Sequence, residues 1–160
     1  MSSKVLADSL STLFGELVDG PPGTTCFVLN RGDIGLLRSL DKLSAEAASA
    51  SSQGGATIAA HVDHLRYGFS LMNQWSGGEN PWDDADWTRS WRIAKVSEAE
   101  WKKLRADLGS EMRRWRVVLG KPRDMDQTEL AGVIASIVHL AYHLGAIRQI
   151  DRTARGPRAH

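Results

Sequence analysis

Three observations predict an all-α protein, a four-helix bundle running up-down-down-up with a short extra helix and long crossover links. Apolar residues recur at helical spacing along nearly the whole chain. Helix-stop clusters stand at Gly20-Pro21-Pro22-Gly23 and Gly120-Lys121-Pro122. The long helical stretches are joined by two long connections and one short one. A link of about seven residues between the last two favours antiparallel neighbours. The 77–96 link could extend about 65 Å, against about 30 Å for a 20-residue helix, so it can cross the bundle and leave its helices parallel.

The first helix, about 3–18, lines up Val5, Leu6, Leu10, Leu13, Phe14 and Leu17. Cys26-Phe27-Val28-Leu29 is apolar enough for a strand but has no partner, so it reads as a loop packed against the bundle. A shorter helix over about 33–48 turns Ile34, Leu36, Leu37, Leu40 and Leu43 inward. The second long helix runs from a Thr57 cap to about Ser76, with Ile58, Val62, Leu65, Phe69 and Met72 on one arc. Asp63, Arg66, Ser70 and Gln74 fall opposite, as a solvent-facing side would. The third opens at Ser97, where Ser97 and Glu100 have capping-box spacing, and buries Trp101, Leu104, Leu108, Met112, Trp115 and Leu119. The fourth starts near Asp126–Thr128 and runs to about Arg152. It is apolar nearly all round from Leu130 to Leu144, which predicts the most buried element.

The 160 residues suit one domain, 1–153, followed by a flexible tail, 154–160. Twenty Lys and Arg against 19 Asp and Glu leave no basic excess for nucleic-acid binding. The basic residues between Lys102 and Arg123 read as a solvated face. Cys26, the single cysteine, allows no internal disulfide and no Cys-built zinc site; it reads as packing and suits a reducing, cytoplasmic setting. No apolar run is read as a membrane span. The chain is thus expected to engage neither nucleic acid nor membrane.

The chemistry lies with the histidines. His139 and His143 stack on one helical face at a spacing suited to chelating a divalent metal, with small residues Gly132, Ala135 and Ser136 on the same side. On the second long helix, His61 falls inside the apolar arc and His64 at its edge; an inward imidazole needs a hydrogen-bond partner or a metal. With the two helices antiparallel, His64 and His143 fall about 10 and 14 Å from the same end of the bundle. Three neutral imidazoles with an open fourth position would form a catalytic type of site. The alternative is two pairs of core histidines satisfied by carbonyls or by each other.

Thr57-Ile58-Ala59-Ala60-His61-Val62-Asp63-His64-Leu65 resembles the helix-two signature of the DinB/YfiT-like family. His139-Leu140-Ala141-Tyr142-His143-Leu144-Gly145-Ala146-Ile147-Arg148-Gln149 resembles that family's His-x-x-x-His-x-Gly-x-Ile-Arg ending. The resemblance implies a DinB-like bundle over nearly the whole chain, often as a homodimer, with His64, His139 and His143 as ligands of a divalent metal. Zinc or nickel suits three imidazoles, and some relatives are transferases using a low-molecular-weight thiol. The expectation is a metal-dependent enzyme that activates a thiol or water against a small-molecule substrate. The alternative is a non-catalytic metal- or ligand-binding bundle.

His61 departs from the family's usual apolar residue, which leaves it open as a fourth ligand, a base beside the metal, or the ligand in place of His64. Tyr142 is a second catalytic candidate, if its hydroxyl reaches the pocket. Asp63 reads as a surface charge, Arg148 as a helix-end cation and Gly145 as a point of close helix contact. All six tryptophans fall between residues 75 and 115. Trp101 and Trp115 belong to the third helix's inner stripe, and Trp75 faces the bundle. Trp82, Trp87 and Trp91 lie in the long link, where they could wall a pocket or cover a dimer surface but read better as the packing of a crossover than as a binding platform.

Overall fold

The computed structural model describes residues 2–158, so His160, expected to be frayed, lies outside them. The described residues form six α-helices and no strand: α1 Ser3–Asp19, α2 Gly35–Leu40, α3 Ala45–Ala48, α4 Ile58–Ser76, α5 Glu98–Leu119 and α6 Gln127–Ile150. Short 3-10 turns stand at Arg89–Arg92 and Arg152–Ala154. The protein is all-α. The expected caps are made: Thr57 Oγ1 accepts from the Ala60 N–H, and Ser97 with Glu100 forms a reciprocal capping box. Asp126 and Glu129 form a second one at the start of α6.

Each long helix buries its apolar stripe in one core. Phe14 and Leu17 of α1, Ile58 and Val62 of α4, Trp101 and Trp115 of α5, and Leu140 and Ile147 of α6 are all essentially inaccessible. Tryptophan N–H groups at this depth need partners. Trp101 Nε1 donates to the Leu43 carbonyl and Trp115 Nε1 to Ser136 Oγ. Asn73 joins α4 to α5 by donating to the Glu111 backbone and carboxylate.

Three expectations need correction. The helix predicted over 33–48 is two, α2 and α3, because the chain turns at 41–44 and Ser44 caps a new start. Apolar periodicity continues through such a break and does not register it. The fourth helix is not the most buried element: Ile134, Val138 and Tyr142 stand 45%, 61% and 71% exposed, so one side of α6 is covered by no other helix. By length and composition α6 is also apolar enough to cross a membrane, contrary to the expectation that no such segment exists. It is α6 that packs Val133, Leu140, Leu144 and Ile147 into the core.

The tail is held from its first residue. Ala154 is buried, Arg155 Nε donates to the Arg148 carbonyl, and Asn30 Nδ2 donates to the Pro157 carbonyl. Gly156 lies so close to Asp33 that a Cβ there would overlap its carboxylate.

Two buried carboxylates organise the 20–34 connection, and neither was singled out in the sequence. Glu16 is 1% exposed on α1, and its oxygens accept from the N–H groups of Phe27, Val28 and Leu29 at 2.6–3.1 Å. The loop is therefore tied down through its backbone, while Phe27 and Val28 point outward at 64% and 50% exposure. Cys26 is half-buried beside them. Asp33 takes a bidentate pair of bonds from Arg148 and one from the Gly35 N–H. Arg148 thus clamps the end of α6 to this loop rather than serving as a free helix-end cation. Burial raises the Asp33 pKa, but the Arg148 and backbone bonds outweigh it, and the net shift is downward.

Candidate metal centre

Residue pairing across α4 and α6 sets the site. His61 Nδ1 lies 2.8 Å from His143 Nδ1, and His64 Nε2 lies 3.0 Å from His139 Nε2. Trp75 packs over Gly132 further along. Numbers rise on one helix as they fall on the other, so the two run antiparallel here. The i, i+3 step of α4 then meets the i, i+4 step of α6, and four imidazoles converge.

His64, His139 and His143 each place a ring nitrogen within 4.8 Å of the other two. On one tetrahedral ion with metal–nitrogen bonds of about 2.0–2.1 Å, two such nitrogens stand about 3.3 Å apart. The donor set and its spacing therefore fit a divalent ion after small side-chain shifts. Nδ1 of His64 is buried without a hydrogen bond, while its Nε2 is the nitrogen that faces His139. His61 is outside this group of three and touches it through His143.

These rings are held neutral, the form that binds metal. Burial is the main cause, reinforced by the neighbouring imidazoles: His64 is lowered to about 4 and His143 to about 3. Burial lowers His61 and His139 as well. The consequence for metal-free protein follows from proton linkage. His64 and His143 take up their protons near 6.5 when unfolded but only near 4 and 3 when folded, so the unfolded chain binds more protons in between. The stability they contribute is full above about pH 6.5 and is lost as pH falls toward their folded values. Denaturant melts of chelator-treated protein should lose about 2 kcal/mol between pH 6 and pH 5, from two groups at about 1.4 kcal/mol per pH unit each. A flat profile across that interval would mean the rings are not buried neutral.

The link wraps this cluster. Trp91 stacks on His64 with ring centroids 4.5 Å apart and planes 28° apart, and its ring also faces His143 at 6.0 Å. Trp87 reaches His64 at 5.7 Å and stacks on Trp82, which meets Trp75 edge-on. The expected reading of these tryptophans as crossover packing is thus incomplete. Trp75, Trp82 and Trp87, but not Trp91, wall a cavity of about 520 Å³ lined at one end by His64 and His139.

Other candidates fall elsewhere. Asp63 does project away from the histidines, but it is buried rather than solvated: Ser90 Oγ donates to one oxygen and Arg66 to the other. The 3-10 turn at Arg89–Arg92 covers that side of α4, and the helical wheel cannot show a covering link. Tyr142 sets its ring at right angles to His143, 5.0 Å away, on the open side of α6, and does not line the cavity. Gly145 has open space at its Cβ position and permits no close helix contact.

The fold and the site together define an all-α protein with a three-histidine group able to hold a metal ion. No protein-family model matches the chain, and no curated protein or solved structure matches it.

Proposed function

We propose that this chain is a divalent-metal-dependent enzyme of the DinB-like type, with His64, His139 and His143 as ligands of zinc or nickel. The observation that carries the reading is the convergence of those three nitrogens within 4.8 Å, from two helices, beside a cavity that His64 and His139 line. Three imidazoles leave a coordination position open, and a bound ion there supplies Lewis acidity to a water or a low-molecular-weight thiol. His61 orients the His143 ring through their nitrogen–nitrogen bond, as partners of ligand histidines do. Trp91 covers His64 and keeps bulk water from its face. The small-molecule substrate enters the cavity beside the ligands.

The up-down-down-up arrangement is part of the proposal. Supporting it are the antiparallel pairing of α4 with α6, the Asn73–Glu111 bonds in the later halves of α4 and α5, and the approaches of Gly15 to Arg116 and of Ser11 to Gly120, whose numbers run oppositely on α1 and α5. A second copy of this chain is proposed to cover the open side of α6, where Ile134, Val138 and Tyr142 lie bare. Sedimentation should give a dimer that Val138→Glu converts to a monomer; a monomeric wild type would remove this part.

Tag-free protein should bind one equivalent of zinc or nickel and, loaded, turn over a small electrophile in the presence of a thiol or water. No binding in titration would end the metal reading. The cavity contains no carboxylate to act as a general base, an observation that favours a non-catalytic metal- or ligand-binding bundle as the second reading. Stoichiometric metal without turnover across a panel of electrophiles would select it.

A further inference from the structure

We propose that the cavity beside the histidines takes an uncharged, largely apolar molecule of about two fused rings, with one lone-pair donor presented to the histidine end. The assignment of the head group rests on the metal-centre reading; that of the body rests on the cavity walls alone.

One wall is aromatic and continuous. From His64 it passes to Trp87, then to Trp82 stacked 6.4 Å away, then to Trp75 at 6.1 Å. The opposite wall is kept low by Gly132 and Ala135, which lie one turn apart on the same side of α6 as His139. Gly68 on α4, one turn beyond His64, has only the Trp87 ring near its missing Cβ. Leu65, Phe69 and Met72 close the inner side. A void of about 520 Å³ falls within the range of small-molecule sites.

The polar inventory excludes a charged body. None of the lining side chains is a carboxylate, ammonium or guanidinium. Ser136 is already committed, accepting from Trp115 Nε1 and donating to the Val133 carbonyl. An ionic group placed among the tryptophans would lose its hydration without a partner, a cost an uncharged ring system avoids. Nitrogens able to hold an ion, and through it a lone pair of the ligand, occur at one end only, where His64 and His139 stand. The ligand is therefore uncharged, with its lone pair at the histidine end and the Thr128 hydroxyl the one uncommitted polar side chain along the rest of the cavity.

The test is calorimetric titration of the whole chain, metal-loaded and chelator-treated, with 1-naphthol and with 4-hydroxynaphthalene-1-sulfonate. The second probe has the same rings and hydroxyl but carries a charge at the far end. The expected result is saturable one-to-one binding of 1-naphthol, at least tenfold weaker binding of the sulfonate, and tighter naphthol binding when metal is present. Trp82→Ala, at a residue already 38% exposed, should weaken naphthol at least tenfold while leaving zinc stoichiometry unchanged. Equal affinity for both probes, or a Trp82→Ala variant that binds naphthol normally, would overturn the inference. Zinc binding without naphthol binding overturns it and leaves the metal centre standing. Naphthol binding without zinc binding supports the apolar body, refutes the metal reading and overturns the assignment of the head group.

Discussion

His139→Ala should lower zinc and nickel affinity by at least about 100-fold, the largest single effect expected on function. Residues that merely orient metal ligands cost about 10–100-fold when removed, and His139 is proposed as a ligand itself, one of three histidines close enough to hold an ion. It is also the safest of the three to replace, since its side chain is exposed on α6 while His64 and His143 are buried. A folded variant is therefore expected, and circular dichroism checks this. His143→Ala should remove the metal equally but also leave His61 Nδ1 without its partner, so its stability should fall too. His61→Ala separates orientation from ligation: it should lose affinity within the 10–100-fold range and keep one-to-one stoichiometry. Wild-type affinity in His139→Ala, measured by competition with a chromophoric chelator, would remove the three-histidine centre.

The largest expected effect on stability lies at the C-terminal end of α6. Asp33→Ala should cost about 3–5 kcal/mol, the usual penalty for leaving one member of a buried ion pair alone. Asp33 and Arg148 side chains are 2% and 14% exposed, and both carboxylate oxygens are engaged at 2.8–2.9 Å. Three segments meet there: the 20–34 connection, the last turn of α6 and the 154–158 segment packed over Asp33. For a domain of this size the loss corresponds to a melting temperature lower by about 10 °C. The double variant Asp33→Ala with Arg148→Met should recover much of the loss, because no uncompensated charge is then buried. A single variant that melts like wild type would show that the pair clamps nothing.

The helices were legible because their signals are local. Caps at Thr57, Ser97 and Asp126 act over three residues, and apolar stripes act over one or two turns. The histidines were legible for the same reason: a His-x-x-His and a His-x-x-x-His step each occupy one helical side. What periodicity could not separate was Asp63 from a surface residue, since its partner Ser90 is 27 positions away. Likewise, a break between α2 and α3 leaves the spacing of leucines undisturbed.

Local chemistry in the chain thus dictates four long helices, their caps and the presence of inward imidazoles. Tertiary packing decides which of those imidazoles meet, because that depends on the register of α4 against α6, set by the whole core. It also decides that Glu16 and Asp33 are buried, as their partners lie 11–13 and 115 residues away. The apolarity of α6 was plain in the sequence, but an apolar side looks the same whether it meets a core, a cavity or nothing. Only the placement of the other elements leaves Ile134 and Val138 bare and brings the link tryptophans down beside His64.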